Sequence, residues 1–92
     1  MENKKSKEDL LGSRARIKIL KLLAEKQELS ISQIISMTNL NYTIVKKHLD
    51  ILKSSNFVQE KIFGRIKIYR YRFENIRAKS LKTFIDIWEG NI

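Results

Sequence analysis

Cysteine and proline are both absent from this 92-residue chain, and histidine occurs only once. Without cysteine there is no disulfide framework and no thiolate metal site, and a lone histidine cannot build a zinc site. No apolar run approaches the roughly 20 residues that a membrane-spanning helix needs. Residues 1–12 are charged and lack the apolar core of a signal peptide. We therefore expect one soluble, cytoplasmic domain with no metal, no cofactor and no membrane contact.

Signatures of catalysis are missing as well. The chain has no cluster of acidic residues at metal-ligand spacing and no glycine-rich loop that would cradle a phosphate. With a single histidine and no cysteine, an enzyme is the function class that the sequence favours least, and we do not expect one.

Positive charge is in excess, and the excess lies in the middle of the chain. The formal net charge is +9. Residues 1–12 and 74–92 each sum to zero, whereas residues 13–73 carry thirteen basic and four acidic side chains. A randomly basic surface would explain the total, but such segregation indicates a polyanionic partner, above all a nucleic acid.

The hydrophobic pattern predicts four helices and a hairpin. Apolar residues recur at helical spacing in residues 13–26, 31–38, 42–55 and 75–89, and a short strand is expected at 28–30. Ser30 and Gln33 stand at capping-box spacing. Residues 57–73, FVQEKIFGRIKIYRYRF, are rich in β-branched and aromatic types around Gly64, which predicts a β-hairpin turning at about residues 63–66. The fold class is mainly α with a small β-hairpin (α+β).

Two of these helices, joined by the turn NLN, form a helix-turn-helix arrangement. In the second of them Val45, Leu49 and Leu52 share one stripe that must face inward. The opposite face and the amino-terminal turn then point outward, where such a helix reads the major groove of DNA. The predicted DNA-binding residues of this helix are Asn41, Tyr42, Thr43, Lys46 and Lys47.

Other polar side chains extend this predicted interface. The hairpin tip carries Arg65 and Lys67, which can reach the adjacent minor groove or the phosphate backbone. Ser30 and Ser32 open the preceding helix, where their hydroxyls can donate to phosphate. Asp50 would repel phosphate, so it either accepts from cytosine or pairs with a neighbouring lysine.

Three motifs in order resemble the winged helix-turn-helix regulators of the ArsR type. LNYTIVKKHLDILKSSNFV is similar to their recognition helix, SRARIKILKLLAE to their first core helix, and FGRIKIYRYRF to their wing. The matching positions of the recognition helix and its exit are Leu40, Val45, His48, Leu49, Leu52 and Val58, with Asn56 in place of the usual glycine and Phe57 in place of leucine. The resemblance covers residues 13–73 and implies a winged fold in the order helix, strand, helix, helix, strand, strand, helix.

The same resemblance implies a homodimer on pseudo-palindromic DNA, often a repressor of its own promoter. Metal-sensing members carry cysteines at the start of the helix before the recognition helix. Here Ser30 and Ser32 stand in that place, which excludes soft-metal sensing through this motif. The small size, the absent cysteine and the abundant isoleucine and lysine resemble a small archaeal or archaeal-virus regulator.

The last helix has an apolar face that either covers the domain's own core or meets a second copy. Its members are Leu81, Phe84, Ile85 and Trp88. Burying a large side chain of this kind is worth roughly 2–3 kcal/mol, and the zero net charge of residues 74–92 suits a protein surface better than DNA. We therefore divide the chain into an arm or short helix (1–12), a DNA-binding domain (13–73) and a dimerisation helix (74–92).

Three functions remain open at this point. The first is sequence-specific binding of double-stranded DNA by a homodimeric transcription regulator. The second is an architectural protein that binds DNA without sequence preference, and the third is a winged helix that serves as a protein-interaction module. His48 is interpreted as a packing or hydrogen-bonding residue rather than a DNA contact.

Overall fold

The computed structural model describes residues 13–90, and within them the predicted order of elements is confirmed. The helices are α1 (Arg14–Lys26), α2 (Ile31–Thr38), α3 (Tyr42–Ser54) and α4 (Ile76–Trp88). The strands are β1 (Glu28–Ser30), β2 (Val58–Phe63) and β3 (Ile66–Tyr71). The predicted arm or short helix at residues 1–12 lies outside the described residues.

Polar side chains begin these helices, and a residue in the left-handed conformation follows α2. The predicted capping box is confirmed, because the Gln33 amide donates to Ser30 Oγ at 3.2 Å and the Ser30 amide donates to Gln33 Oε1 at 2.9 Å. Asn41 Oδ1 accepts from the Ile44 amide at 2.9 Å and so caps α3. Asn39, directly after α2, adopts φ 60°, a conformation that asparagine tolerates better than most residues. The chain thus turns from α2 into α3 within three residues.

The three strands form one antiparallel sheet in the order β1-β3-β2. Tyr69 on β3 lies opposite Leu29 of β1 on one side and Glu60 of β2 on the other. The hairpin turn falls at Gly64 and Arg65, as predicted, and Gly64 has φ +61°, which favours glycine. Because β1 pairs with β3, the base of the wing has three strands, whereas the hairpin alone has two.

The core lies where three helices meet the sheet. α1 and α3 each contribute an apolar stripe, and the predicted inward set Val45, Leu49 and Leu52 is fully buried. Tyr69 and Tyr71 are also fully buried. α4 is attached more lightly, since Ala78 is its one buried residue among those described. Tyr71 Oη donates to the Ala78 carbonyl at 2.7 Å and holds this helix against the sheet.

No helix within residues 13–90 is long and apolar enough to cross a membrane.

The tyrosine hydroxyl at the foot of α4 gives a test of this attachment. Tyr71→Phe removes the hydrogen bond to Ala78 while the ring stays in place, and we expect the free energy of unfolding to fall by about 1 kcal/mol. Tyr42→Phe is the matched control, because Tyr42 is exposed and should change stability by less than about 0.5 kcal/mol. Equal free energies of unfolding of the two variants in urea denaturation would show that the hydrogen bond from Tyr71 to Ala78 does not stabilise the fold.

Candidate nucleic-acid interface

The amino-terminal half of α3 presents a polar face to solvent. With its apolar stripe buried, Asn41, Tyr42, Thr43 and Lys47 are left exposed and Lys46 half-buried. The Ile44 amide is already bonded to the Asn41 side chain, whereas the amides of Tyr42 and Thr43 precede the first intrahelical bond. The start of α3 therefore offers free donors and side chains of a kind that reaches base edges and phosphates.

Three cations near this face have no acidic partner among residues 13–90. They are Lys47 on α3 and Arg65 and Lys67 at the wing tip. None of the three lies within ion-pair distance of a carboxylate of the described residues, although Glu60 attracts Lys67 at longer range. A polyanion is the ligand class that suits such charges.

Lys46 differs from these three, because its ammonium group lies 2.7 Å from Asp50 Oδ1. This hydrogen bond raises the pKa of Lys46. Of the two roles expected for Asp50, accepting from cytosine or pairing with a lysine, the structure shows the second, because its carboxylate pairs with Lys46 one helical turn away. Lys46 consequently brings less net charge to the interface than Lys47.

A hydrogen-bonded chain fixes the wing against α3. Tyr69 Oη donates to Glu60 Oε2 at 2.6 Å, and Lys53 Nζ of α3 lies 3.0 Å from Glu60 Oε1. The tyrosine hydrogen bond, followed by the lysine, lowers the pKa of Glu60, so this carboxylate stays ionised. No spacing rule joins residues of a helix to a strand that folds back on it, so this link was not predictable from the sequence.

A second link joins α3 to α1. His48 is buried, and its Nδ1 accepts a 3.1 Å hydrogen bond from Arg16 Nε. Burial lowers the pKa of His48, and the positive charges of Arg16 and Lys47 act in the same direction. The structure thus gives His48 the hydrogen-bonding role expected of it, with an arginine as its donor.

The two serines lie at the start of α2. Ser30 Oγ is the helix cap and accepts from the Gln33 amide, which leaves its own proton available to an acceptor. Ser32 is exposed on the first turn. Both positions can donate to an anion, and neither carries a ligand for a soft metal.

The apolar face of α4 divides into two parts. Leu81 packs against the core and Ile85 lines a cleft against α1, so these two residues turn toward their own domain. Phe84 and Trp88 point away, 58% and 78% exposed, with ring centroids 5.9 Å apart. Ile87, 63% exposed, joins them, although the sequence analysis did not include it. We call Phe84, Ile87 and Trp88 the outer α4 patch.

Helices α2 and α3, the three-stranded sheet and the projecting hairpin define a winged helix-turn-helix domain. Residues 13–60, just over half of the chain, match the bacterial regulatory protein, arsR family. The chain belongs to this family of transcription regulators. No curated protein sequence gives a significant match.

Solved structures of other proteins share this fold. The homodimeric winged helix-turn-helix DNA-binding domain of Mb0332 from Mycobacterium bovis, a possible ArsR-family transcriptional regulator, is 26% identical with a TM-score of 0.71, over 88% of this chain and 72% of that one. The transcriptional repressor PagR of Bacillus anthracis is 20% identical, with a TM-score of 0.70, over 83% and 84%. HlyU from Vibrio cholerae is 19% identical, with a TM-score of 0.76, over 86% and 83%.

The buried histidine predicts how stability depends on pH. Because the pKa of His48 is lowered in the folded state, the unfolded chain takes up a proton first as the pH falls below the ordinary value of 6.5. The contribution of neutral His48 is complete above pH 6.5 and declines as the pH falls toward the lowered folded pKa.

His48→Gln tests this, since a glutamine oxygen accepts from Arg16 but does not titrate. We expect the wild-type free energy of unfolding to fall relative to that of the variant between pH 7.5 and pH 5, measured by urea denaturation. Parallel pH profiles would show that His48 titrates alike in the folded and unfolded chains.

Proposed function

We propose that this chain is a sequence-specific, double-stranded-DNA-binding transcription regulator that acts as a homodimeric repressor. In this proposal α3 enters the major groove, and the wing of β2 and β3 contacts the adjacent minor groove or the backbone. The observation that carries it is the set of unpaired cations Lys47, Arg65 and Lys67 beside the exposed start of α3.

The distribution of ion pairs supports this orientation. On the α4 side of the domain, Lys21 pairs with Glu89 and Lys82 with Asp86, whereas Arg77 and Lys79 of α4 form no ion pair within residues 13–90. Beside the exposed start of α3, Lys47, Arg65 and Lys67 all lack an ion pair in the same part of the chain. A protein that binds a polyanion by this face benefits from these three cations.

Each group in the proposed interface has a role that follows from its chemistry. Tyr42 and Thr43 contact base edges or thymine methyl groups, and Lys47 takes guanine acceptors. Asn41 and Ser30 cap helices and Lys46 shares its charge with Asp50, so these three position the domain on sugars and phosphates, together with the exposed hydroxyl of Ser32. Arg65 and Lys67 contact the minor groove and its phosphates.

Dimerisation is proposed through α4. The outer α4 patch is three large apolar side chains exposed on one helix, an arrangement typical of protein interfaces. The Mycobacterium bovis domain of the same fold is described as homodimeric. Under this proposal Phe84 and Trp88 form the centre of the interface with Leu81 and Ile85 supporting them from behind, residues 13–73 bind DNA, and residues 74–92 pair the copies. The cytoplasmic location and the archaeal or archaeal-virus source remain predictions.

Binding across a salt series tests the proposed function first. The probes are a labelled duplex enriched by selection from a random library and an unselected duplex of equal length. A preference of about a thousandfold supports a regulator, while equal affinities with the same salt slope support an architectural protein. Absence of binding to both duplexes would favour the protein-interaction module.

Single variants then locate the interface. Lys47→Ala should cost about 1–3 kcal/mol, concentrated at one base position, and Arg65→Ala should lower the salt slope by about one. Lys79→Ala is the matched control, because it removes an exposed positive charge from α4 and should change affinity little. Unchanged binding by Lys47→Ala and Arg65→Ala together would refute docking through α3 and the wing.

The dimer is tested by sedimentation. Phe84→Ala or Trp88→Ala removes apolar area from both halves of a symmetric interface, so we expect the dimer dissociation constant to rise at least about tenfold. Lys79→Ala serves again as the control on the same helix. Dimers of unchanged stability in both aromatic variants would place the interface elsewhere.

A further inference from the structure

The wing tip exposes large apolar side chains that the proposed DNA contacts do not use. Ile62, Phe63 and Ile66 are 60%, 59% and 56% exposed. We call these three residues the apolar wing tip. A projecting hairpin usually turns polar side chains to water, and a cluster of exposed apolar groups marks an interaction site.

The register places these groups on both faces of the hairpin end. Phe63 lies directly opposite Ile66 beside the turn, and Ile62 lies opposite Lys67 on the other face. Space around the turn is open, because an added Cβ at Gly64 would meet nothing within 4 Å. The end of the wing therefore presents Phe63 and Ile66 on one face and Ile62 and Lys67 on the other, with Arg65 in the turn.

Duplex DNA is the occupant that matches both the apolar groups and their charged neighbours. Arg65 and Lys67 have no acidic partner among the described residues. A purely apolar protein surface would leave these two charges buried without compensation, which costs several kcal/mol. The minor groove offers phosphates at its rims and apolar sugar and base faces inside, and other proteins insert Phe or Ile there between base pairs.

The base of the wing is rigid enough to direct its tip. Tyr69 is fully buried, and the contacts from Tyr69 to Glu60 and from Glu60 to Lys53 fasten the hairpin to α3. The position of the tip is consequently tied to that of the helix proposed to enter the major groove. A side chain at the tip would meet the same base step each time α3 docks.

We propose, as a step that rests on the function proposed above, that the apolar wing tip inserts into the minor groove beside each half-site, with Phe63 as a wedge between two base pairs. The wedge unstacks that step and bends the duplex. Because pyrimidine–purine steps such as TA unstack most easily, Phe63 selects them without a base-specific hydrogen bond. The apolar wing tip is thus a specificity determinant of the flanking DNA.

The experiment uses the full chain and the selected duplex, with the step under the wing located by footprinting. Fluorescence of 2-aminopurine placed at that step reports unstacking, and energy transfer between end-labelled strands reports bending. We expect the wild-type chain to raise the fluorescence and shorten the end-to-end distance. Phe63→Ala should lose both signals, bind about tenfold more weakly, and no longer distinguish a TA step from a GC step.

Three further variants separate a wedge from other effects. Phe63→Leu keeps an apolar side chain and should retain most of the unstacking. Arg65→Ala should weaken binding and reduce the salt slope while the bound complex still unstacks the step. Met37→Ala removes an exposed apolar side chain that lines the cleft against α4, and should alter neither signal.

The outcomes distinguish this inference from the proposed function. Tight, selective binding by the wild-type chain without unstacking or bending would overturn the wedge alone. Signals that survive in Phe63→Ala would do the same. Dissociation of the dimer by Phe63→Ala would assign the tip to a contact between copies instead. Failure of the wild-type chain to bind any duplex would overturn both proposals.

Discussion

The hydroxyl of a buried tyrosine joins the two parts of this domain that face outward. Tyr69 is fully enclosed at the centre of the sheet, and its Oη reaches Glu60, which in turn lies against Lys53 of α3. The burial of Val58, Tyr69 and Tyr71 holds the base of the wing in the core, and the pair between Lys53 and Glu60 links the wing to α3. The buried bond between Arg16 and His48 fastens the same helix to α1, so α3 is held from two sides.

Ion pairs then determine which cations of the surface formed by α3 and the wing keep an unshared charge. Acidic side chains form ion pairs with particular cations: Asp50 pairs with Lys46, and Glu60 pairs with Lys53. Glu74 accepts from Arg70 and Arg72 together, and these hydrogen bonds lower its pKa to about 2. Among the residues that the structure describes, Lys47 of α3 and Arg65 and Lys67 of the wing tip are left without an ion pair, as are Arg77 and Lys79 of α4.

Helix α4 is attached to the domain by fewer contacts than α3. One small residue, Ala78, lies in the core, and one hydrogen bond from Tyr71 marks the contact. Close packing at a small residue leaves the aromatic side of the helix pointing outward, with Phe84 stacked on Trp88. This surface is apolar and aromatic, whereas the face formed by α3 and the wing is basic. The chain therefore separates a charged face suited to a polyanion from an apolar face suited to another protein surface.

Much of this architecture was predictable from the sequence because it rests on local rules. Helical spacing of apolar residues, the capping-box spacing of Ser30 and Gln33, and the β-branched run around Gly64 each act within a few residues, so the predicted order of elements and the inward stripe of α3 were correct. The segregation of positive charge into residues 13–73 is likewise a property of the sequence alone.

Only the tertiary structure decided which partners those residues found. In the folded chain β1 pairs with β3, and Glu60 contacts both Tyr69 and Lys53. Leu81 and Trp88, which the sequence placed on one apolar face, differ in burial, because Leu81 packs against the core and Trp88 is exposed. These contacts join residues far apart in the chain, and their choice depends on how the elements pack in three dimensions. Periodicity identifies the apolar face of a helix, and composition gives the net charge. Which cations lack an ion pair depends on the folded structure, because that structure determines which lysines and arginines lie next to a carboxylate.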